Sequence, residues 1–310
     1  MISQIAACLF FLVVQETLTF EKMGEKNYIP NADQLALLEQ AIAYRDIGDI
    51  YQSVKLYRLL VKQAPLWITP HLSLAAIYKQ RKEWKAVAHY NKKSVVLDPS
   101  LQDAWWDLSL GVFAIGKKRQ AQRIWQKFGH QESNFLSLCS VQISHHGLFE
   151  LIWVKPNNPL SGTIISIPHP QSDHRYQDTI LFDRKLLGYN IFEQKKIPVF
   201  ECLDLLKRSH FNTFSGIVYD INDKEITLFE QLASAEGIGF EVWSNAARSF
   251  QFQKDAQSLE YYAGNKLFPN QKASGVVIAL SGRTTKKIKR LIKAWEVICL
   301  KTVEKLEQHH

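Results

Sequence analysis

The chain is poor in the features that mark several large protein classes. Cysteine occurs four times in 310 residues, at Cys8, Cys139, Cys202 and Cys299. No two of these are close enough in sequence to form a metal-binding pair, and the number is small for a disulfide scaffold. They read as buried thiols in a reducing compartment, so a cytoplasmic location is expected. Long apolar runs are missing as well. The segment from Ile5 to Val14 is a ten-residue apolar stretch, too short to cross a bilayer as a helix. No Lys or Arg precedes it, so it lacks the basic start of a secretory signal. Residues 1–33 are therefore expected to be either a helix packing on the adjoining domain or a stretch upstream of the true start at Met23, the only other methionine. Catalytic signatures are absent too: no phosphate loop, nucleophile elbow, His-Glu-x-x-His, paired-cysteine site or dinucleotide fingerprint occurs. No enzymatic activity and no cofactor or metal is expected.

Charge is present but unevenly placed. The formal net charge is +8. The stretch from Gly282 to Leu306 holds eight Lys or Arg and two Glu, which supplies most of that excess. The rest of the chain is close to balanced, and a dispersed basic face for nucleic acid is not expected. Neither zinc-finger spacing nor an aromatic RNA-binding strand accompanies the charge. The last apolar-periodic segment, from Thr284 to Leu306, is read as an amphipathic helix. Its apolar face carries Ile288, Leu291, Ile292, Trp295, Ile298, Cys299 and Leu306, and its solvated face is basic. A membrane surface is not the expected partner, though such a helix leaves it open.

What the sequence does contain is an internal echo of 34 residues. Three copies start at Gln34, Ile68 and Gln102. The eighth place holds Ala41, Ala75 and Ser109, small enough to let two helices approach closely. The eleventh holds Tyr44, Tyr78 and Val112, and the twenty-fourth Tyr57, Asn91 and Trp125. The fifteenth holds Gly48, Lys82 and Gly116, where a helix must stop. The twentieth holds Ser53, Val87 and Ala121. Pro65 and Pro99 close the first two copies, because proline cannot continue a helix.

This pattern resembles the tetratricopeptide repeat over residues 34–130, about a third of the chain. The segment from Ala104 to Ser109 matches the opening of such a repeat, and those from Glu83 to Val87 and Leu97 to Pro99 match its second half. Asn91 and Val87 depart from the pattern, and no proline closes the third copy. The resemblance implies a stack of helical hairpins whose first helices line a concave face. It places Leu38, Leu72 and Trp106, then Ile42, Ala76 and Leu110, then Arg45, Lys79 and Phe113 on that face. Trp105, one place before Trp106, is expected to pack between helices. Some chaperone-binding members clamp a C-terminal carboxylate with cationic and amide side chains there. Here those places are mostly apolar, so a protein or peptide partner with an apolar or amphipathic segment is expected instead.

Beyond Gly129 the texture changes to short β-branched and aromatic runs. Strands are predicted from Leu148 to Val154, Thr163 to Ile167, Thr179 to Phe182, Phe214 to Tyr219, Gly239 to Trp243 and Val276 to Leu280. Helices are predicted from Glu201 to Arg208 and from Glu225 to Glu236. The expected fold is a two-domain α+β protein. An N-terminal all-α stack precedes a compact α+β domain over residues 141–306 with a mixed or antiparallel sheet. Two clusters, His145-His146 and His169-Asp173-His174, carry groups that can bind metal or move protons. Both sit where loops collect solvated polar residues, which is their expected role. The leading functional expectation is an adaptor that binds a partner through the apolar groove. The alternative is an enzyme or regulatory domain within residues 140–283 that uses the repeats as a docking arm.

Overall fold

The computed structural model describes residues 28–128, 137–145, 148–192, 195–245 and 275–309. The expectations for Ile5 to Val14, Met23, Cys8, Gly129 and His146 fall outside these residues. The chain divides into two compact units, Met1–Gln131 and Glu132–His310.

The first unit holds six consecutive helices: α1 (Ala32–Asp46), α2 (Ile50–Gln63), α3 (Ile68–Gln80), α4 (Trp84–Leu97), α5 (Gln102–Ala114) and α6 (Lys118–Lys127). Each packs on the next, as consecutive helical hairpins do when the connections are short. Asn31 starts α1 with a capping box: its side chain accepts from the Gln34 N–H, and the Gln34 side chain accepts from the Asn31 N–H. The first helix of each hairpin ends in the same way. Gly48, Lys82 and Gly116 all take positive φ, at 85°, 57° and 84°. Their N–H groups donate to the carbonyls of Arg45, Lys79 and Phe113 at 3.0, 3.0 and 2.9 Å. The small residues of the eighth place are buried where the helices cross: Ala41 and Ser109 are fully covered and Ala75 nearly so. Gly111 marks a close approach of α5 to α4. A Cβ there would lie 2.8 Å from the backbone nitrogen of Ala88 on α4.

The second unit is built on two sheets. In the first, β1 (Cys139–His145) pairs with β2 (Leu148–Asn158), β2 with β3 (Ser161–Ile164), and β3 with β4 (Thr179–Phe182). A short strand, β5 (Gly188–Phe192), forms a hairpin with β6 (Lys195–Lys207). The 13-residue β6 also pairs antiparallel with β4 and parallel with β1, which closes the sheet on itself. Closure leaves β1 no free edge. Val141, Ile143, Ile152, Val154, Ile164, Ile180 and Phe182 fill the interior. Phe182 stacks on Phe200 with centroids 5.6 Å apart.

The second sheet is antiparallel throughout, with β10 (Glu304–Gln308), β7 (Asn212–Val218), β9 (Val276–Gly282) and β8 (Gly239–Val242) side by side in that order. Helix α7 (Asp223–Ala235) follows β7 and α8 (Thr285–Cys299) follows β9. The order of elements and strands is that of a ferredoxin-like split β-α-β arrangement. Phe214, Val218, Ile278 and Leu280 turn to the helices and meet Ile226, Phe229, Ile288, Leu291 and Trp295. Trp295 has no accessible surface; its ring stacks on Phe229 at 4.7 Å and its Nε1–H donates to the Glu225 carbonyl at 2.9 Å.

The α+β two-domain organisation read from the sequence is therefore present, with a mixed sheet and an antiparallel one. Two element assignments are corrected. Residues Glu201–Lys207 are not a helix but the second half of β6. Their apolar spacing suits a helix, yet β4 and β1 offer ladder partners on both edges, and that non-local pairing wins over local pattern. The final helix ends at Cys299 rather than Leu306, because Leu300 turns left-handed at φ 53°. Leu306 then lies on β10, partly buried against the core under α7 and α8. Strands β1, β5, β6 and β10 have no counterpart among the predicted strands.

Candidate functional site

The first helices of the three hairpins set the candidate surface. Leu38 and Ile42 on α1, Leu72 and Ala76 on α3, and Trp106 on α5 are all half-buried, each keeping part of its apolar surface open. Arg45 and Lys79 are half-buried cations at the matching places one turn further on. Lys79 Nζ lies 2.7 Å from Asp107 Oδ1, so the two hairpins share a charge pair along this face. Two residues assigned to the face are corrected. Leu110 has no accessible surface and Phe113 almost none. Phe113 is tilted against Trp125 of α6 with centroids 5.7 Å apart. A side chain spent on internal packing has no area to offer a partner. Trp105 is half-buried at the end of the stack, against Phe128, with Lys127 Nζ 4.1 Å above its ring and its Nε1–H donating to the Pro99 carbonyl.

Behind this face, polar groups are locked by burial. Tyr57 has no accessible surface, and burial raises its phenol pKa. Tyr78 and Tyr90 stack at 5.6 Å with planes 6° apart, and Arg58 donates to the Tyr78 hydroxyl at 2.7 Å. Burial also raises the Tyr90 pKa. His71 is buried with Nε2 3.1 Å from the Pro65 carbonyl, and burial lowers its pKa. These residues are framework; none was singled out for function from sequence.

In the second unit the two histidine clusters meet different fates. His145 ends β1. His169 belongs to a segment held between β2 of the first sheet and β8 of the second. Its backbone N–H donates to both carboxylate oxygens of the buried Glu150 at 3.1 Å, and the neighbouring Ile167 N–H donates to Glu241 at 2.7 Å. The Trp243 Nε1–H donates to the Ile167 carbonyl, and the Trp243 ring lies 5.6 Å from that of His169. Asp173 points instead to Arg208, which also pairs with the fully buried Asp178 at 3.2 Å. The loop carboxylates thus serve to fasten the chain. Among the described residues no group of three or more His, Cys, Asp or Glu is placed to hold a metal ion.

One hydroxyl–imidazole pair escaped sequence reasoning. Ser215 Oγ and His309 Nε2 are 2.7 Å apart although 94 residues separate them. Such a pair supports nucleophilic chemistry when a third group orients the ring and a pocket admits substrate. Here it fastens the chain end to β7, beneath Trp243, whose ring is 6.2 Å from that of His309. Cys139 is buried among apolar neighbours, which pushes its thiol up to about 12 and makes it a poor nucleophile.

No helix among the described residues is long and apolar enough to cross a membrane. No family model and no curated protein matches the chain. A solved structure described as a novel crystal structure of a hypothetical protein from Neisseria gonorrhoeae is similar at 12% identity over 56% of this chain and 94% of that one. The TM-score is 0.24, too low for the likeness to carry an inference.

Proposed function

We propose that residues 32–127 form a tetratricopeptide-type scaffold that holds an apolar or amphipathic segment of a partner protein along α1, α3 and α5. The observation that carries this reading is the recurrence of one helix-ending turn at Gly48, Lys82 and Gly116, at the repeat length of that family. A regular stack of hairpins presents the same places of successive repeats on one face. On that face Leu38, Leu72 and Trp106 follow one another, flanked by Ile42 and Ala76. Partly open apolar side chains in a row, rimmed by Arg45, Lys79 and Asp107, suit a helix or extended segment with apolar anchors. The second unit acts as a companion body in this proposal, without chemistry of its own.

Affinity capture with the full chain tests the reading. Trp106→Ala should weaken partner binding by roughly 2 kcal/mol, about thirtyfold in Kd, as loss of an aromatic anchor does. A photo-crosslinking residue at position 76 should label the same partner, and one at the exposed position 92 should not. Equal recovery by wild type and variant at unchanged melting temperature would overturn the proposal.

A further inference from the structure

We infer that the outer face of α8 is a docking surface for an anionic lipid bilayer. Ile288, Leu291, Ile292 and Trp295 anchor the helix to the second sheet. The opposite side carries Lys286, Arg290 and Lys293 in successive turns, with Lys287 and Lys289 beside them, all exposed. Only Arg290 among these is neutralised by a described residue, Glu236 at 2.7 Å. The acid of the helix itself, Glu296, is turned inward to accept from the Val303 N–H at 2.8 Å. The face is therefore basic without local compensation among the described residues.

The last turn changes character. Val297 is 67% exposed, Ile298 58% and Leu300 90%, three open aliphatic side chains within four residues. Tyr219, 45% exposed, precedes Asp220, whose carbonyl accepts from Lys301 Nζ. Three open aliphatic side chains thus stand at the end of the helix that the lysines lead up to. Cations alone would fit any polyanion. Cations followed by open aliphatic side chains fit a headgroup layer with acyl chains behind it, because the lysines meet anionic headgroups while the apolar tip enters the interface. A nucleic acid offers nothing to the aliphatic tip, and the stacking aromatics of single-strand binders do not accompany these lysines. The inference uses none of the repeat face and stands independently of the proposed scaffold role.

Co-sedimentation of the full chain with vesicles at about 150 mM salt, where screening acts within about 8 Å, tests it. The chain should bind mixed phosphatidylserine–phosphatidylcholine vesicles at least about tenfold better than phosphatidylcholine alone. The triple variant Lys286→Glu, Lys289→Glu, Lys293→Glu should lose that preference. The triple variant Val297→Ser, Ile298→Ser, Leu300→Asn should weaken binding to the same vesicles and leave retention on duplex DNA unchanged. All six side chains are exposed, so both variants should melt with the wild type. No binding to the mixed vesicles, or binding indifferent to the aliphatic variant, would overturn the inference. DNA binding stronger than vesicle binding would overturn it as well.

Discussion

Lys79 on α3 and Asp107 on α5 meet at 2.7 Å, an ion pair between side chains 28 residues apart that links the second hairpin to the third. It sits among half-buried groups on the face proposed to hold a partner. Partial exposure limits its worth to about 1 kcal/mol or less. Asp107→Asn should lower the urea midpoint slightly, by an amount that shrinks as salt is raised. Because the variant removes one negative charge from this face, an acidic residue in the proposed partner segment should bind it more tightly. Titration of the captured partner against both proteins reads that change.

Lys82 occupies a left-handed turn that glycine fills at the two matching positions. A side chain with a Cβ is strained there, whereas glycine is not. Lys82→Gly should raise stability by up to about 1 kcal/mol, read as a higher urea midpoint with unchanged slope. Gly116→Ala should move the midpoint the other way by about 1 kcal/mol. Nothing lies within 4 Å of a Cβ at Gly116, so backbone conformation alone is tested.

Gly111 tests packing instead. Its added Cβ would press on the backbone of Ala88 and Trp84, which cannot rotate away. Gly111→Ala should force α4 and α5 apart and cost about 1–3 kcal/mol, as overpacking does. Calorimetry of the full chain should show the transition of the first unit moving down while that of the second unit stays in place.

His71 makes stability pH-dependent. Burial lowers its pKa in the folded state, so the unfolded chain binds the extra proton more readily. Its neutral ring contributes fully above the unfolded value of about 6.5, and the contribution is lost as pH falls below that toward the folded value. Thermal melts from pH 8 to pH 5 should show a fall that is smaller in His71→Gln. A steeper fall in the variant would contradict this assignment.

The repeats were legible because their signal is local. A helix stop, a small residue at a crossing and an aromatic between hairpins recur at fixed intervals, and each acts within one or two turns. Lys82 shows the limit of such reading. The chain turns left-handed there without glycine, since the flanking helices and the hydrogen bond to the Lys79 carbonyl impose the turn. Leu110 and Phe113 show another limit. Their place in the repeat assigns them to the open face, but the packing of Phe113 on Trp125 decides otherwise.

By itself the sequence determined the hairpin period, the change to a sheet-forming texture after residue 129, and the class of the whole chain. These rest on spacing along the chain. Tertiary structure alone decided that Glu201–Lys207 is a strand, that Leu306 leaves the last helix for β10, and that Ser215 meets His309. A ladder partner, a closing barrel edge and a contact across 94 residues come from segments remote in sequence. Their free energy appears only after the chain has folded back on itself, and no local pattern encodes it.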